Sequence, residues 1–344
     1  MMNVFRLPRL NIIQVVSIIF LLICRLCFSQ AANVTSNEPV DVTAGRITYK
    51  WEIEKVFLEN SNNITPVLTQ GKSTLKADTM IYDNKIETGY AFGNVFYRNY
   101  ADQIILTSGE GTYSSRRKEI VVRNNPKIIM LKDGTVAKSD LMKIYPDKDT
   151  IIMIGSVVIT NTNYIIGGNE ATVYQKTGKM IIIGNASARQ EKTVMTADKI
   201  SILTSHGALD TYTAIGNVKI DDLKEGYTIN SGRLDYYKDI GYSKITDHPV
   251  ISFTNKNVKA YSIAMEKFDK EEKANLLGNV MIVQESKKAY SKWGEYFMHT
   301  KKIQLTGNPY LVERHSKFKS DKILFDVDSE TMNMIGKGAG FYQY

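Results

Sequence analysis

From Gly93 to Gly336 the chain returns to one short signature about every 30 residues, which restricts it to folds made by stacking a single small unit. The clearest copies place Gly-Asn before an apolar residue: Gly93-Asn94-Val95, Gly184-Asn185-Ala186, Gly216-Asn217-Val218 and Gly278-Asn279-Val280. Variants fill the gaps at Gly155-Ser156-Val157, Gly307-Asn308-Pro309 and Gly336-Lys337-Gly338. A second anchor keeps the same beat, at Ala77-Asp78, Ser108-Gly109, Ser139-Asp140, Ala197-Asp198, Ser231-Gly232 and Ser320-Asp321. Alternating apolar residues follow each, as in Met80 and Tyr82 or Ile323 and Phe325, and then turn formers such as Asp83-Asn84-Lys85. Each unit therefore predicts a strand, a tight turn, a longer strand and a looser connection.

The longer strand shows which face is dry. Counting by two through the glycine gives Ala91, Gly93, Val95, Tyr97, then Ile151, Met153, Gly155, Val157, Ile159, then Met180, Ile182, Gly184, Ala186. Later copies give Ala214, Gly216, Val218, Ile220 and Leu276, Gly278, Val280, Ile282. The opposite phase carries Asn94, Arg98, Asn185, Arg189, Asn217 and Lys219. A period of two with one apolar phase is the mark of a strand with one wet face. The inward glycine admits two compatible readings: a bulge that bends the strand, or a furrow left along the interior.

Stacked two-strand units bury their apolar faces against one another, giving two facing antiparallel sheets around a shared interior. No helical periodicity of any length follows the leader, and no Pro-, Gly- or Ser-rich linker divides the repeats, so one elongated domain over 45–344 is expected. Both ends of such a stack expose strand edges. Gly45–Glu54, with Ile47, Tyr49, Trp51 and Ile53 in one phase, is expected to be the first edge strand. Ile335–Tyr344, with Phe341 and Tyr342, is expected to be the last, and both edges suit pairing with partners or head-to-tail with another copy. Residues 1–31 read as a signal peptide, with Arg6 and Arg9, an apolar run from Ile12 to Cys24, and small residues near Ala31. A retained anchor or a lipidated Cys24 are the other readings, and 32–44 is expected to be a linker. Cys24 and Cys27 both fall in the leader, so a cleaved product has no disulfide or thiolate site.

Reactive chemistry is scarce. His206, His248, His299 and His315 stand apart from one another, and no Gly-x-Ser-x-Gly, His-Glu-x-x-His or phosphate loop occurs. Asp78, Asp140, Asp198 and Asp321 recur with the repeat, whereas a catalytic pair needs two carboxylates in different surroundings. They read as turn or strand-entry residues. No enzyme, metal or cofactor is expected. The formal charge of +8 is dispersed, with three of its positive charges in the leader, which does not support nucleic-acid binding.

The pattern Ala77-Asp78-x-x-x-Tyr82-Asp83, followed by Gly93-Asn94-Val95 and repeated from about Gly71 onward, resembles the OstA-like, LptA-type domain of lipopolysaccharide transport. That resemblance implies an all-β, V-shaped antiparallel β-jelly roll that shields acyl chains. It implies a periplasmic bridge that contacts inner- and outer-membrane transport components through its edges, nearer the soluble bridge than the outer-membrane translocon. The cargo would be lipopolysaccharide, lipooligosaccharide or a similar glycolipid. On this reading Val95, Tyr97, Met153, Val157, Ile159, Ile182, Ala186, Val218, Ile220, Leu276, Val280 and Ile282 line the groove, and Gly93, Gly155, Gly184, Gly216, Gly278, Gly307 and Gly336 shape it. The rivals are a β-solenoid binding or adhesion protein with a filled core, and a carbohydrate-active β-helix enzyme, which would need an acid-base cluster at one rung.

Overall fold

Alternation without helical periodicity leaves the backbone one way to satisfy its hydrogen bonds, strand against strand, and the computed structural model is built that way. It describes residues 40–205 and 208–342. The expected signal peptide 1–31, most of the linker 32–44, Cys24, Cys27 and His206 lie outside the described residues. Internal contacts fall into two units that part between Met180 and Ile181.

In the N-terminal unit the strands are β1 (Asp41–Thr43), β2 (Arg46–Lys50), β3 (Lys55–Glu59), β4 (Val67–Gln70) and β5 (Ser73–Lys76). There follow β6 (Thr79–Asp83), β7 (Thr88–Asn99), β8 (Ile104–Ser114), β9 (Glu119–Arg123) and β10 (Lys127–Met130). The last four are β11 (Thr135–Lys138), β12 (Leu141–Tyr145), β13 (Thr150–Thr160) and β14 (Ile165–Tyr174). All pair antiparallel, in two ladders. The first runs β2–β3–β6–β7–β8–β9–β12–β13–β14. The second runs β1–β4–β5–β7–β8–β10–β11–β13–β14. The long strands β7, β8, β13 and β14 give one half to each ladder, so the two sheets are joined at a corner in the jelly-roll manner.

β15 (Lys179–Gln190) spans the boundary, and the C-terminal unit continues with β16 (Thr193–Ser205), β17 (Ala208–Asp222), β18 (Tyr227–Tyr237), β19 (Tyr242–Thr246) and β20 (Val250–Phe253). Next come β21 (Val258–Tyr261), β22 (Ala264–Phe268), β23 (Lys273–Gln284), β24 (Lys287–Phe297) and β25 (Lys302–Thr306). The chain closes with β26 (Tyr310–Glu313), β27 (Ser316–Lys319), β28 (Lys322–Asp326), β29 (Thr331–Ile335) and β30 (Ala339–Tyr342). Its first ladder is β16–β17–β18–β19–β22–β23–β24–β25–β28–β29. Its second is β16–β17–β18–β20–β21–β23–β24–β26–β27–β30.

The corner explains both sequence anchors. In β7 the register to β8 slips between Phe92 and Val95, so Gly93 and Asn94 together oppose one residue, a β-bulge. Gly93 is left-handed at φ 71° and Asn94 at φ 44°. A Cβ on Gly93 would lie 2.2 Å from Asp78 Oδ2, so a side chain is barred by space as well as by conformation. That carboxylate accepts from Asn94 Nδ2 at 2.8 Å. The set recurs with Asp140 and Ser156 Oγ (3.2 Å), and with Asp198 and Asn217 Nδ2 (3.1 Å). At the last corner Asp321 accepts from the Lys337 backbone N–H (3.0 Å). The room beside Gly93, Gly155, Gly216 and Gly336 is thus taken by the second anchor's carboxylate, at Gly278 by Ile263, and at Gly307 by Lys292 and Trp293.

One expected element is corrected. Gly45–Glu54 is not a single strand: β2 stops at Lys50, and Trp51–Ile53 form a 3-10 turn closed by left-handed Glu54. β3 must return to pair in the register Arg46 with Glu59, so Trp51 and Ile53 become hairpin-turn residues although their alternation continues that of Ile47 and Tyr49.

Candidate functional site

Between the two ladders of the N-terminal unit lies a narrow, partly open and largely apolar cleft. Leu58, Met80, Ala91 and Gly111 face it from the first ladder, and Leu68, Leu75, Tyr97 and Leu106 from the second. Each set is a row of cross-strand partners, so alternation within single strands becomes a continuous apolar wall.

The cleft exists because that row is short of volume. Ala91 opposes Gly111 two residues before the bulge. A Cβ on Gly111 would meet only Val122 Cγ1 and Val95 Cγ1, both at 3.8 Å, so there is room to spare. The pairs at the same place in the C-terminal unit are Ala214 with Leu234 and Leu276 with Gly294. There a Cβ on Gly294 would sit 3.2 Å from Leu276 Cδ1 and 3.3 Å from Leu305 Cδ2. The second ladders differ likewise. Ile104 pairs Met130 in the cleft wall, whereas Tyr227 pairs Phe253, and both rings pack edge-on against Tyr296 with centroids 6.4 and 5.2 Å apart.

Of the residues assigned to the groove from sequence, Val95 and Tyr97 line this cleft. Met153, Val157 and Ile159 are buried elsewhere in the same unit. Ile182, Ala186, Val218, Leu276, Val280 and Ile282 are buried in the C-terminal unit, where Ile220 is half-buried. The lining residues of the short strands, Leu58, Leu68, Leu75, Met80 and Ile128, were missed because the glycine signature marks only long strands. Their own alternation was the available signal.

Polar groups in the wall are few. Ser73 Oγ and Tyr97 Oη share a hydrogen bond of 3.3 Å. Burial pushes the Tyr113 phenol up, with Tyr82, Asp147 and Glu87 acting in the same direction. Its buried hydroxyl has no hydrogen-bond partner among the described residues. Burial likewise pushes the Tyr82 phenol up.

At the outer strands, β2 pairs with β3, β1 with β4, β29 with β28 and β30 with β27, and none has a second partner among the described residues. Ile47, Trp51 and Ile53 are exposed and Tyr49 is half-buried. Phe341 and Tyr342 lie in β30, and Met334 and Ile335 stand exposed on β29. Among the described residues no cluster of three His, Cys, Asp or Glu side chains is placed to hold a metal, and no helix is long and apolar enough to cross a membrane.

Comparison with known proteins bears on this fold. No curated protein matches the chain. Among solved structures, LptH, the LptA homologous periplasmic component of the conserved lipopolysaccharide transport device from Pseudomonas aeruginosa, is 12% identical and aligns over 53% of this chain and 95% of its own. Its TM-score of 0.18 is too low for the likeness to carry an argument. Residues 165–331 match the family model described as LptA/(LptD N-terminal domain) LPS transport protein. That segment contains the repeats at Gly184, Gly216, Gly278 and Gly307, each with its glycine left-handed. Over residues 165–331 the chain is thus similar to the LptA/LptD N-terminal family of lipopolysaccharide transport.

Proposed function

We propose that this protein is a periplasmic carrier that shields the acyl chains of lipopolysaccharide, or of a similar glycolipid, in the cleft of its N-terminal unit on the way to the outer membrane. The observation that carries this reading is a largely apolar, partly open cleft in a chain whose residues 165–331 match a lipopolysaccharide-transport family. Each methylene taken from water contributes ~0.8 kcal/mol, so a dry wall can hold an acyl chain without any directed contact. Ordering of chain and wall offsets part of that gain. The family's transport role fits a carrier, and no catalytic step is assigned to any residue here. Inner- and outer-membrane components, or another copy of the chain, would join by strand addition at β1 and β2 or at β29 and β30.

The filled-core solenoid stays alive for one region, since Leu276 and Leu305 close around Gly294 in the C-terminal unit. The two readings separate by photocrosslinking. A photoreactive residue at Leu106 should capture radiolabelled lipopolysaccharide, and one at exposed Asn94 should not. Equal capture at both positions would remove the carrier reading.

A further inference from the structure

The cleft wall is largely apolar, and among its few polar groups the Tyr113 hydroxyl is the one buried without a partner among the described residues. This residue is 3% exposed and lines the cleft. The Tyr97 hydroxyl in the facing ladder is already engaged with Ser73. Buried polar groups are nearly always paired, so an unpaired phenol in a ligand cleft marks a contact completed by something else. Its position suits the head of an acyl chain. Tyr113 lies two residues beyond Gly111, next to the end of β8, opposite Gly89 and Ile120. A chain lying over Ala91 and Gly111 would bring its first carbon to the turn end of the strand, where Tyr113 stands.

We propose that Tyr113 is a positioning residue whose hydroxyl donates a hydrogen bond to the neutral carbonyl oxygen of an ester- or amide-linked acyl group, so that the cleft selects acylated molecules over free fatty acids. This rests on the reading of the cleft as a lipid site. Three features set the chemistry. Burial keeps the phenol protonated, hence a donor. Asp147 and Glu87 lie close enough to add negative potential at Tyr113, which disfavours a carboxylate beside it. A carbonyl oxygen carries no net charge and accepts as readily. In the C-terminal unit Tyr296, which precedes its strand end as Tyr113 does, is covered by Phe253 and Tyr227, so the contact belongs to the N-terminal cleft.

The test uses the full chain and displacement of an apolar fluorescent dye by three ligands that share the hexadecane carbon chain: N-hexadecanoylethanolamine, hexadecanoate and hexadecane. The ethanolamide should bind more tightly than hexadecanoate. Tyr113→Phe should weaken the ethanolamide about 5- to 10-fold and leave hexadecane unchanged, as expected for one lost hydrogen bond. Tyr296→Phe serves as control, because that residue lies in the C-terminal unit outside the cleft, and should leave the ratio of ethanolamide to hexadecane where it was. An unchanged ethanolamide affinity in Tyr113→Phe, with hexadecane still bound, overturns the role of Tyr113 and spares the cleft. An equal loss in both variants overturns it too. If neither dye nor hexadecane binds, the carrier reading falls as well.

Discussion

Each unit runs the same repeat through its own pair of ladders, yet one keeps a cleft between its sheets where side chains of the other close on the same positions. The difference lies in a handful of row positions. Ala91 with Gly111 leaves space that Leu276 with Gly294, or Ala214 with Leu234, does not. Ile104 and Met130 line a wall where Tyr227 and Phe253 cross to Tyr296. Polar contacts at the turns follow the same division. In the C-terminal unit Lys256 Nζ donates to the Asp328 carbonyl (2.7 Å) and Gln284 Nε2 to the Glu330 carbonyl (3.0 Å), tying the second ladder to the first. In the N-terminal unit Arg116 Nη2 to the Lys85 carbonyl and Asn161 Nδ2 to the Asp133 carbonyl run along one ladder. Backbone topology makes the jelly roll, and side-chain volume decides whether its interior is a core or a groove.

The largest expected effects come from breaking that volume difference. Leu276→Ala should cost the C-terminal unit about 2–5 kcal/mol, the usual range for a buried leucine. The protein carries two tryptophans, Trp51 in the N-terminal unit and Trp293 in the C-terminal, so denaturant melts followed by fluorescence can report on both units. The Trp293 transition should move and the Trp51 transition should stay. Transitions that shift together would show that the units unfold as one, and would break the comparison at its root.

Next in size are the corners. Gly93→Ala forces a left-handed alanine against the Asp78 carboxylate and should cost about 2–4 kcal/mol. Gly278→Ala meets the end of the Ile263 side chain at 3.0 Å, which can shift, so about 1–2 kcal/mol is expected for the conformation alone. Equal losses would mean that the aspartate adds nothing beyond what the bulge itself demands. Smaller again is Gly111→Leu, which fills the cleft without left-handed strain. Dye affinity should fall about tenfold, or ~1.4 kcal/mol, with stability held or raised. Undiminished binding would place the dye outside the cleft.

Much of this architecture is legible in the chain itself. Alternation around Gly93, Gly216 and Gly278 identifies the strands and their dry face, and the recurrent Asp78, Asp140, Asp198 and Asp321 mark where strands begin. What alternation does not carry is the identity of cross-strand partners. Ala91 and Leu276 both count as apolar, and only the register that sets Ala91 against Gly111, beside Val95 and Val122, makes one of them the floor of a cleft. Trp51 and Ile53 misled for a related reason: their phase continues that of Tyr49, while the turn that removes them from the strand is fixed by the pairing of β3 with β2.

Alkali should separate the units next. Burial pushes up the phenols of Tyr212, Tyr227, Tyr236 and Tyr296 in the C-terminal unit, and that of Tyr242 to about 12. In the N-terminal unit Tyr82, Tyr113 and Tyr145 are affected. An unfolded tyrosine ionises near pH ~10, so the stability these residues contribute is complete below that and lost as pH rises toward their folded values. The Trp293 transition should therefore fall sooner above pH ~10 than the Trp51 transition, and the reverse order would contradict the packing difference between the units.

The smallest effect concerns Asp102, in the turn between β7 and β8 of the N-terminal unit. Its backbone N–H donates to Asn99 Oδ1 at 3.0 Å, while its Oδ2 is buried with no partner among the described residues. Burial raises this carboxyl to about 6, against ~3.9 for an unfolded aspartate. A folded value above the unfolded one means that the protonated form is the better tolerated. The contribution to stability is then complete below pH ~4 and is lost as pH climbs through the folded value of about 6. Asp102→Asn keeps the shape and removes the proton equilibrium, so the Trp51 transition should lose its decline between pH ~4 and ~6 and lie slightly above wild type at neutral pH, by a degree or two. The Trp293 transition should not respond. A variant that keeps the wild-type slope would assign that decline to another carboxyl, and would show that the cover over Asp102 yields to water in solution.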